Sequence, residues 1–179
     1  ARCPVTAAAA TDQIGSHLLA LSPDAKRAFV TSRGSDTISV IDTETMTTLQ
    51  TIKAGKGPEA VFVSPDGKEV WVGNNQSKTI IIFDAKTMDR IEMIDVNFVP
   101  IRVRFNPAGD TVAVADLHGN RVLILNAADR SEQTFVDLNK FDIERPPSLL
   151  FSPDGTRLYV GSELSSKVVE IDAGNWEVT

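Results

Sequence analysis

A short turn motif occurs four times in this 179-residue chain, and its regular spacing constrains the fold more than any other feature. The four copies read SPDA, SPDG, NPAG and SPDG, and their prolines stand at positions 23, 65, 107 and 153. Successive prolines are therefore 42, 42 and 46 residues apart. A period of roughly 40 to 45 residues is typical of proteins built from stacked copies of one small structural unit.

Four short apolar segments accompany each copy of the motif and keep the same register in every repeat. The segment directly after the turn reads RAFVTS, EVWVGN, TVAVAD and RLYVGS, and the next one reads TISVID, TIIIFD, RVLILN and KVVEID. These segments are short, rich in β-branched residues and bounded by Gly, Pro, Asp, Asn or Ser, which indicates β-strands. Because no stretch shows a convincing helical period, the sequence predicts an all-β protein.

Four antiparallel strands that recur with this period form the repeating unit, or blade, of a β-propeller. A single sheet with apolar residues on both faces cannot bury them alone, so neighbouring blades must stack. The repeat phase predicts four blades, at residues 14–55, 56–97, 98–143 and 144–179, after an N-terminal segment of residues 1–13. The four extra residues of the third interval fall in the connection NKFDIERPP.

The repeat also resembles a known type. The segment SPDGKEVWVGNNQSKTIIIFDAKTM is similar to the YVTN-type propeller repeat, as are the segments that begin SPDAKRAFVTS and SPDGTRLYVGS. The resemblance covers residues 16–179 and implies a propeller of a bacterial or archaeal surface-layer, secreted or periplasmic protein. It implies no single activity, because lactonases, streptogramin lyases and haem d1 propellers share the architecture and differ in chemistry.

Three arrangements of the ring are consistent with four blades. Residue 179 falls in the phase of the outermost strand of the fourth blade, so PVTAAAAT near the N-terminus is a candidate to supply that strand and close a four-blade ring. Alternatively, the chain is a piece of a larger propeller, or half of a ring that a second chain completes. An open arrangement would expose apolar blade faces and would drive self-association.

Composition excludes two classes of partner. The formal net charge is −6, from 18 basic and 24 acidic residues, whereas nucleic-acid binding needs a basic face. No apolar run approaches the roughly 18 residues that a membrane-spanning helix requires. The sequence therefore predicts no nucleic-acid partner and no membrane insertion.

The candidate site lies on the face of the propeller opposite the repeated turns, where the loops differ from blade to blade. His17, Glu59 and Arg102 stand at the entry to the innermost strands and predict a polar mouth that binds an anion or a sugar. The alternative is a solvated channel rim without a ligand. The full set of candidate ligand-binding residues is His17, Glu59, Asn74, Asn75, Arg102, His118 and Arg145.

Other repeated polar residues point to structural roles. The residues that end the third strand of each blade are expected to cap the turn that follows rather than form a carboxylate cluster. The glycines of the turn motif are expected to adopt positive φ, a pattern from which Ala25 departs. The first group is Asp42, Asp84, Asn126 and Asp172, and the second is Gly67, Gly109 and Gly155.

Two arginines, Arg102 and Arg104, alternate toward the same side of one innermost strand. Buried arginines need partners, so we expect salt bridges between blades, with Glu59, Asp116 or Glu144 as the candidate acids. Ligand recognition by Arg102 is the alternative interpretation.

No compact catalytic set is present in the sequence. There is no Ser-His-Asp arrangement, phosphate loop or haem-attachment motif, and two histidines are too few for a metal centre. The favoured hypothesis is a non-catalytic, periplasmic, extracellular or cell-surface binding module without a cofactor, whose partner is a protein or a glycan. The alternative is part of an enzyme or cofactor-binding propeller with its ligand at the channel mouth.

Overall fold

The computed structural model describes residues 13–179, which form fifteen β-strands in four antiparallel sheets. The predicted all-β propeller fold is confirmed. In chain order the strands are β1 (Ser16–Leu21), β2 (Arg27–Ser32), β3 (Thr37–Asp42), β4 (Thr47–Lys53), β5 (Pro58–Val63), β6 (Glu69–Asn74), β7 (Thr79–Asp84), β8 (Arg90–Asp95), β9 (Pro100–Phe105), β10 (Thr111–Asp116), β11 (Arg121–Asn126), β12 (Glu132–Asp137), β13 (Ser148–Phe151), β14 (Arg157–Gly161) and β15 (Val168–Asp172).

Each sheet is a meander in which strands adjacent in sequence are adjacent in space. The sheets run β1–β4, β5–β8, β9–β12 and β13–β15. The first strands β1, β5, β9 and β13 contact one another in succession, whereas β4 and β8 are almost entirely exposed. The first strands therefore lie nearest the propeller axis and the fourth strands form the rim.

Both faces of a central sheet are buried, as the repeat requires. One face of the second sheet packs on the third through Trp71, whose ring meets that of Phe105 edge-on with 5.3 Å between centroids. The other face packs on the first sheet, where Val61 and Val70 join Phe29 in one apolar cluster. Burial of large apolar side chains between sheets is the dominant stabilising term of such a stack.

The two outermost sheets each leave one apolar face uncovered. Leu19 holds the repeat position of Val61, and Val168 holds that of Ile80. Val61 and Ile80 are buried between sheets, but Leu19 is 63% exposed and Val168 is 70% exposed. We call these surfaces the first end face (Leu19 and Leu21) and the last end face (Leu150, Tyr159 and Val168).

The repeated turn has the same geometry in all four copies. In the second sheet the Gly67 amide donates to the Ser64 carbonyl at 2.8 Å, and the Ser64 hydroxyl donates to Asp66 at 2.6 Å. The fourth turn residue is left-handed throughout, which confirms the expectation for the three glycines. The φ values are 56° for Ala25, 74° for Gly67, 80° for Gly109 and 74° for Gly155.

The capping role of the residues at the ends of the third strands is also confirmed. Asp42 Oδ1 accepts from the Glu44 and Thr45 amides at 3.0 and 2.7 Å. Asp84, Asn126 and Asp172 accept from the amides of their own turns in the same way. These oxygens are held by local backbone donors, so they do not form a carboxylate cluster.

The connection with four extra residues forms a short 3₁₀-helix, Asn139–Phe141, before the fourth sheet. That sheet has three strands, and an isolated bridge from Ile171 to Val178 continues it outward. The prediction that residues 1–13 close the last blade concerns a segment of which residues 1–12 lie outside the described part of the chain. Within residues 13–179, no helix has the length and apolarity needed to span a membrane.

Candidate functional site

A polar cleft of about 600 Å³ opens at the axis on the face opposite the repeated turns. All four sheets contribute to its wall, which contains six of the seven residues proposed from the sequence. We call it the loop-face cleft, and its lining residues are His17, Arg33, Glu59, Asn75, Gln76, Val99, Ile101, Arg102, Leu117, His118, Arg145, Pro147 and Glu163.

A register shift near the cleft end of the first strand shapes this wall in three sheets. In the second sheet Pro58 pairs with Asn74 and Ala60 with Gly73, so Glu59 is an extra residue with no opposite partner. Corresponding shifts occur in the first and third sheets, near residues 17 and 101. A bulge rotates side chains out of the normal alternation, and it is a frequent device for aiming residues into a site.

Glu59 is the centre of the polar network in the cleft. Its side chain is almost fully buried; Oε2 accepts a short hydrogen bond from Asn75 Nδ2 and lies 3.4 Å from the Arg33 guanidinium. The other oxygen, Oε1, lies 3.8 Å from His17 Nδ1. A buried carboxylate needs such partners, because an unpaired charge in the interior is strongly destabilising.

Asn75 carries an unsatisfied acceptor in the same network. The residue is 7% exposed, and its Oδ1 atom is buried without a hydrogen-bond partner among residues 13–179. Buried polar atoms normally have a partner, so this oxygen marks a position where a donor would be stabilising.

Arg102 lies half-buried on the cleft wall without an acidic partner in the described part of the chain. Its guanidinium donates to the Ile101 carbonyl at 2.7 Å. Burial lowers the pKa of Arg102, and the Glu59 carboxylate partly opposes that effect. The site thus contains a cation that is partly desolvated and free to meet an anion.

The expected salt bridges of Arg102 and Arg104 do not form, which corrects the prediction from the sequence. Asp116 is paired instead with Arg121, at 3.0 Å, because the two residues are directly opposite each other on β10 and β11. Arg104 places its guanidinium 4.9 Å from the centre of the Phe62 ring and donates to the Val103 carbonyl. Asp116 lies in the same sheet as both arginines, but it pairs with Arg121 on β11 and not with Arg102 or Arg104 on β9.

The far side of the cleft is formed by the third and fourth sheets. Arg145 has φ 50°, and its amide donates to Asn120 Oδ1 at 3.0 Å, which fixes the loop that carries it. Its Nε atom lies 3.4 Å from a carboxylate oxygen of Glu163. His118 is exposed beside them, and its amide donates to Asp116.

Asn74 does not belong to the cleft, although the sequence placed it there. It is fully buried, and its Nδ2 atom is 3.4 Å from Thr79 Oγ1 and 3.3 Å from the Val72 carbonyl. A Cβ atom on Gly55 would lie only 2.7 Å from its amide carbon. Asn74 is thus part of the packing between β6 and β7, because it is the last residue of β6 and lies opposite Thr79 on β7.

Three charged or polar residues of the cleft were not proposed from the sequence, namely Arg33, Gln76 and Glu163. Each lies in a variable loop between a second and a third strand. The loop variation pointed to these segments, but only the folded geometry shows which of their side chains line the cleft.

The described residues offer no preformed metal site: no three or more His, Cys, Asp or Glu side chains in them are grouped closely enough to hold an ion. The cleft instead offers three arginines, two histidines and two carboxylates. Arg33 and Arg145 each face a carboxylate, so Arg102 is the cation best placed to bind an external anion.

Four stacked antiparallel meanders with a polar cleft at the axis place this chain among the β-propeller proteins. A family model described as "YNCE-like beta-propeller" matches residues 1–131, and the chain belongs to this family. The finer assignment to the YVTN repeat type stays a prediction.

Among solved structures, a chain described as Kuenenia stuttgartiensis Hydrazine Synthase is similar, with a TM-score of 0.86 and 23% sequence identity. The match covers 100% of this chain and 51% of that chain, so this chain spans about half the length of its structural neighbour. At this identity the likeness shows the fold alone. No curated protein matches the chain by sequence.

Proposed function

We propose that the chain is part of a ligand-binding β-propeller whose loop-face cleft takes an anionic group of a glycan or protein partner. The observation that carries the proposal is Arg102, a half-buried cation at the axis without an acidic partner among the described residues. The guanidinium group suits a carboxylate, because its planar set of donors matches the two oxygens.

The surroundings of Arg102 favour an acidic sugar over a simple anion. Asn75 Oδ1 is a buried acceptor to which no group of the described segment donates, and the Glu59 carboxylate hydrogen-bonds the same side chain. A sugar hydroxyl would supply the missing donor while a carboxylate on the same sugar met Arg102. A uronic acid carries both groups within one ring, which is why it fits this set of side chains.

The test is a calorimetric or NMR titration with methyl glucuronide and, in parallel, with methyl glucoside. We expect the acidic sugar to bind more tightly, and Arg102→Gln to weaken it by about tenfold or more through loss of a charge-assisted contact. Arg104→Gln is the matched control, since Arg104 lies on the same strand outside the cleft. Equal binding of the two sugars, or an unchanged affinity in Arg102→Gln, would contradict the acidic-sugar proposal.

A catalytic or cofactor-binding role is the second candidate, and the pair of His17 and Glu59 favours it. His17 Nδ1 lies 3.8 Å from the carboxylate, a separation that a ligand could shorten into an acid–base pair. The description of the structural neighbour, Hydrazine Synthase, names an enzyme. The likeness supports only that a fold of this kind can occur in an enzyme. A bound metal or haem spectrum that disappears in His17→Ala would favour this candidate over the binding module.

A further inference from the structure

A second recess opens at the other end of the axis, on the face of the repeated turns. We call it the turn-face recess; it has a volume of about 500 Å³. The ends of the four first strands and the four prolines of the turn motif line it. The strand residues are Leu21, Phe62, Val63, Arg104, Phe105, Leu150 and Phe151, and the prolines are Pro23, Pro65, Pro107 and Pro153.

Arg104 is the one charged side chain on the wall of this recess within the described residues. Its guanidinium lies over the Phe62 ring, with 4.9 Å to the centroid, and donates to the Val103 carbonyl at 2.9 Å. No carboxylate of the described residues is within ion-pair distance of it. A charge held against an aromatic face in apolar surroundings lacks the anion that usually accompanies a partly buried arginine.

The acidic residues of the repeated turns are already engaged in local hydrogen bonds. Asp24, Asp66 and Asp154 follow three of the prolines, and each accepts from the serine hydroxyl and an amide of its own turn. None of them lines the recess. These contacts hold the carboxylates at the rim, so they do not reach the guanidinium.

We propose that the turn-face recess binds a small apolar molecule bearing one carboxylate, with the carboxylate on Arg104 and the apolar body against Phe62, Leu21 and Leu150. The positive charge of Arg104 favours an acidic group on the ligand. The apolar side chains that line the recess favour an apolar body for the rest of it. Leu21 and Leu150 are both more than half exposed, so covering them removes apolar area from water.

The surroundings of Arg104 make an anion favourable there. Burial lowers the pKa of Arg104, and the positive charge of Arg102 on the same strand lowers it further. The two positive charges on this strand therefore repel each other. A carboxylate on Arg104 offsets both the lost hydration and this repulsion.

The experiment is a calorimetric titration of the chain with naphthalene-2-carboxylate and with the uncharged naphthalene-2-carboxamide. We expect the carboxylate to bind about tenfold more tightly than the amide, the difference due to a charge-assisted hydrogen bond. Arg104→Met is expected to abolish that preference, and Arg104→Lys is expected to keep part of it. Arg90→Gln, on the exposed rim strand β8, is the matched control and is expected to change the affinity by less than about twofold.

Leu150→Glu tests the same idea without touching Arg104. Leu150 is 65% exposed, so the substitution leaves the core intact while it places a competing carboxylate in the recess. Binding of naphthalene-2-carboxylate should then be lost. Equal binding of acid and amide to the unmodified chain, a preference that survives Arg104→Met, or no binding of the acid at about 10 mM would each overturn the proposal. This outcome is independent of the loop-face cleft, which is tested by sugars and by Arg102.

Discussion

The repeated turn shows how much a single residue can contribute to a repeat fold. Three copies place glycine at the left-handed position, and one places Ala25 there with φ 56°. A non-glycine residue in this conformation has its Cβ close to the backbone, which costs about 1 kcal/mol. The sequence showed Ala25 as a departure from the pattern, and the structure shows that the turn keeps its geometry in spite of it.

Ala25→Gly is therefore expected to stabilise the chain. Removing the backbone strain of a left-handed alanine should raise the free energy of unfolding by about 0.5 to 1 kcal/mol. The greater conformational freedom of glycine in the unfolded chain reduces this gain. Urea unfolding monitored by fluorescence measures the change. Gly67→Ala is the mirror control and should destabilise, because its Cβ would also lie 3.3 Å from Pro23 of the neighbouring blade. Destabilisation by Ala25→Gly would contradict the strain argument.

The aspartates of the turn make the fold sensitive to acid. The Ser64 hydroxyl and then the Lys68 amide lower the pKa of Asp66 from 3.8 to about 2, and Ser152 and Thr156 do the same for Asp154. Because the folded pKa lies below the unfolded value, the ionised carboxylates stabilise the fold above about pH 4. That stabilisation is lost as the pH falls from about 4 toward 2.

The double variant Asp66→Asn/Asp154→Asn is expected to lose part of this pH dependence. Thermal unfolding followed at pH 5, 4, 3 and about 2 should show a shallower decline of Tm with acid than the unmodified chain. Asp95→Asn, an exposed change outside the turns, serves as the control. A double variant with the same decline in Tm as the unmodified chain would refute the role of these two carboxylates.

At the scale of the element, the bulges in the first strands decide what the cleft contains. The apolar pattern predicted the strands well. It does not predict the register shifts, which occur in three of the first strands and also between the third and fourth strands of the same sheets. The apolar pattern does not predict the bulge at Glu59, because the bulge depends on the pairing of β5 with β6 and on a hydrogen bond from the Thr31 hydroxyl. Thr31 Oγ1 donates to the Glu59 carbonyl at 3.0 Å and lies 3.2 Å from the Leu18 carbonyl, which ties the first sheet to the second.

Thr31→Val is expected to destabilise the chain by about 1 to 3 kcal/mol. Valine has nearly the same shape as threonine, but it lacks the hydroxyl group and so leaves the backbone carbonyls without their donor. It should also weaken binding of methyl glucuronide, since Glu59 and Asn75 depend on the position of this bulge. Thr48→Val, on the exposed rim strand β4, is the control. Denaturant unfolding and the sugar titration together provide the measurement. A Thr31→Val variant as stable as the unmodified chain would show that the bulge does not need this hydroxyl.

At the scale of the whole molecule, the two end faces are the most consequential feature. The last end face holds the repeat positions that are buried between sheets elsewhere, as Trp71 is at the position of Tyr159. Uncovered apolar surface of this kind favours association with another blade. Such a blade can belong to a longer chain or to a second copy of this chain, and the repeat pattern is the same in both cases.

We predict that this 179-residue chain self-associates when it is studied alone. Light scattering should report a mass that rises with concentration, because burial of an end face removes apolar area from water. Tyr159→Asp/Val168→Asp should shift the equilibrium toward the monomer, whereas Ile91→Asp/Met93→Asp, on the exposed rim strand β8, should not. A mass independent of concentration in the unmodified chain would rule out association through the end faces.

The amino-acid pattern alone was enough to predict the class of fold, the strands, the turn geometry and the local caps. The strands, turns and caps depend on interactions within a single repeat of about 42 residues, such as those of Asp42 with its own turn, and repetition makes such signals visible four times. The loops that differ between blades pointed to the face on which the loop-face cleft opens.

The tertiary fold determines which of these side chains meet. It separates Asn74 from Asn75, adds Arg33 and Glu163 to the cleft, and leaves Arg102 and Arg104 without the salt bridges expected for them. Two of these outcomes arise within a sheet, since Asn74 is the last residue of β6 and Asp116 pairs with Arg121 across the β10–β11 hairpin. The contacts of Glu59 with His17 and Arg33 instead join two blades, so their distances are fixed by how the blades stack and not by any pattern within one blade.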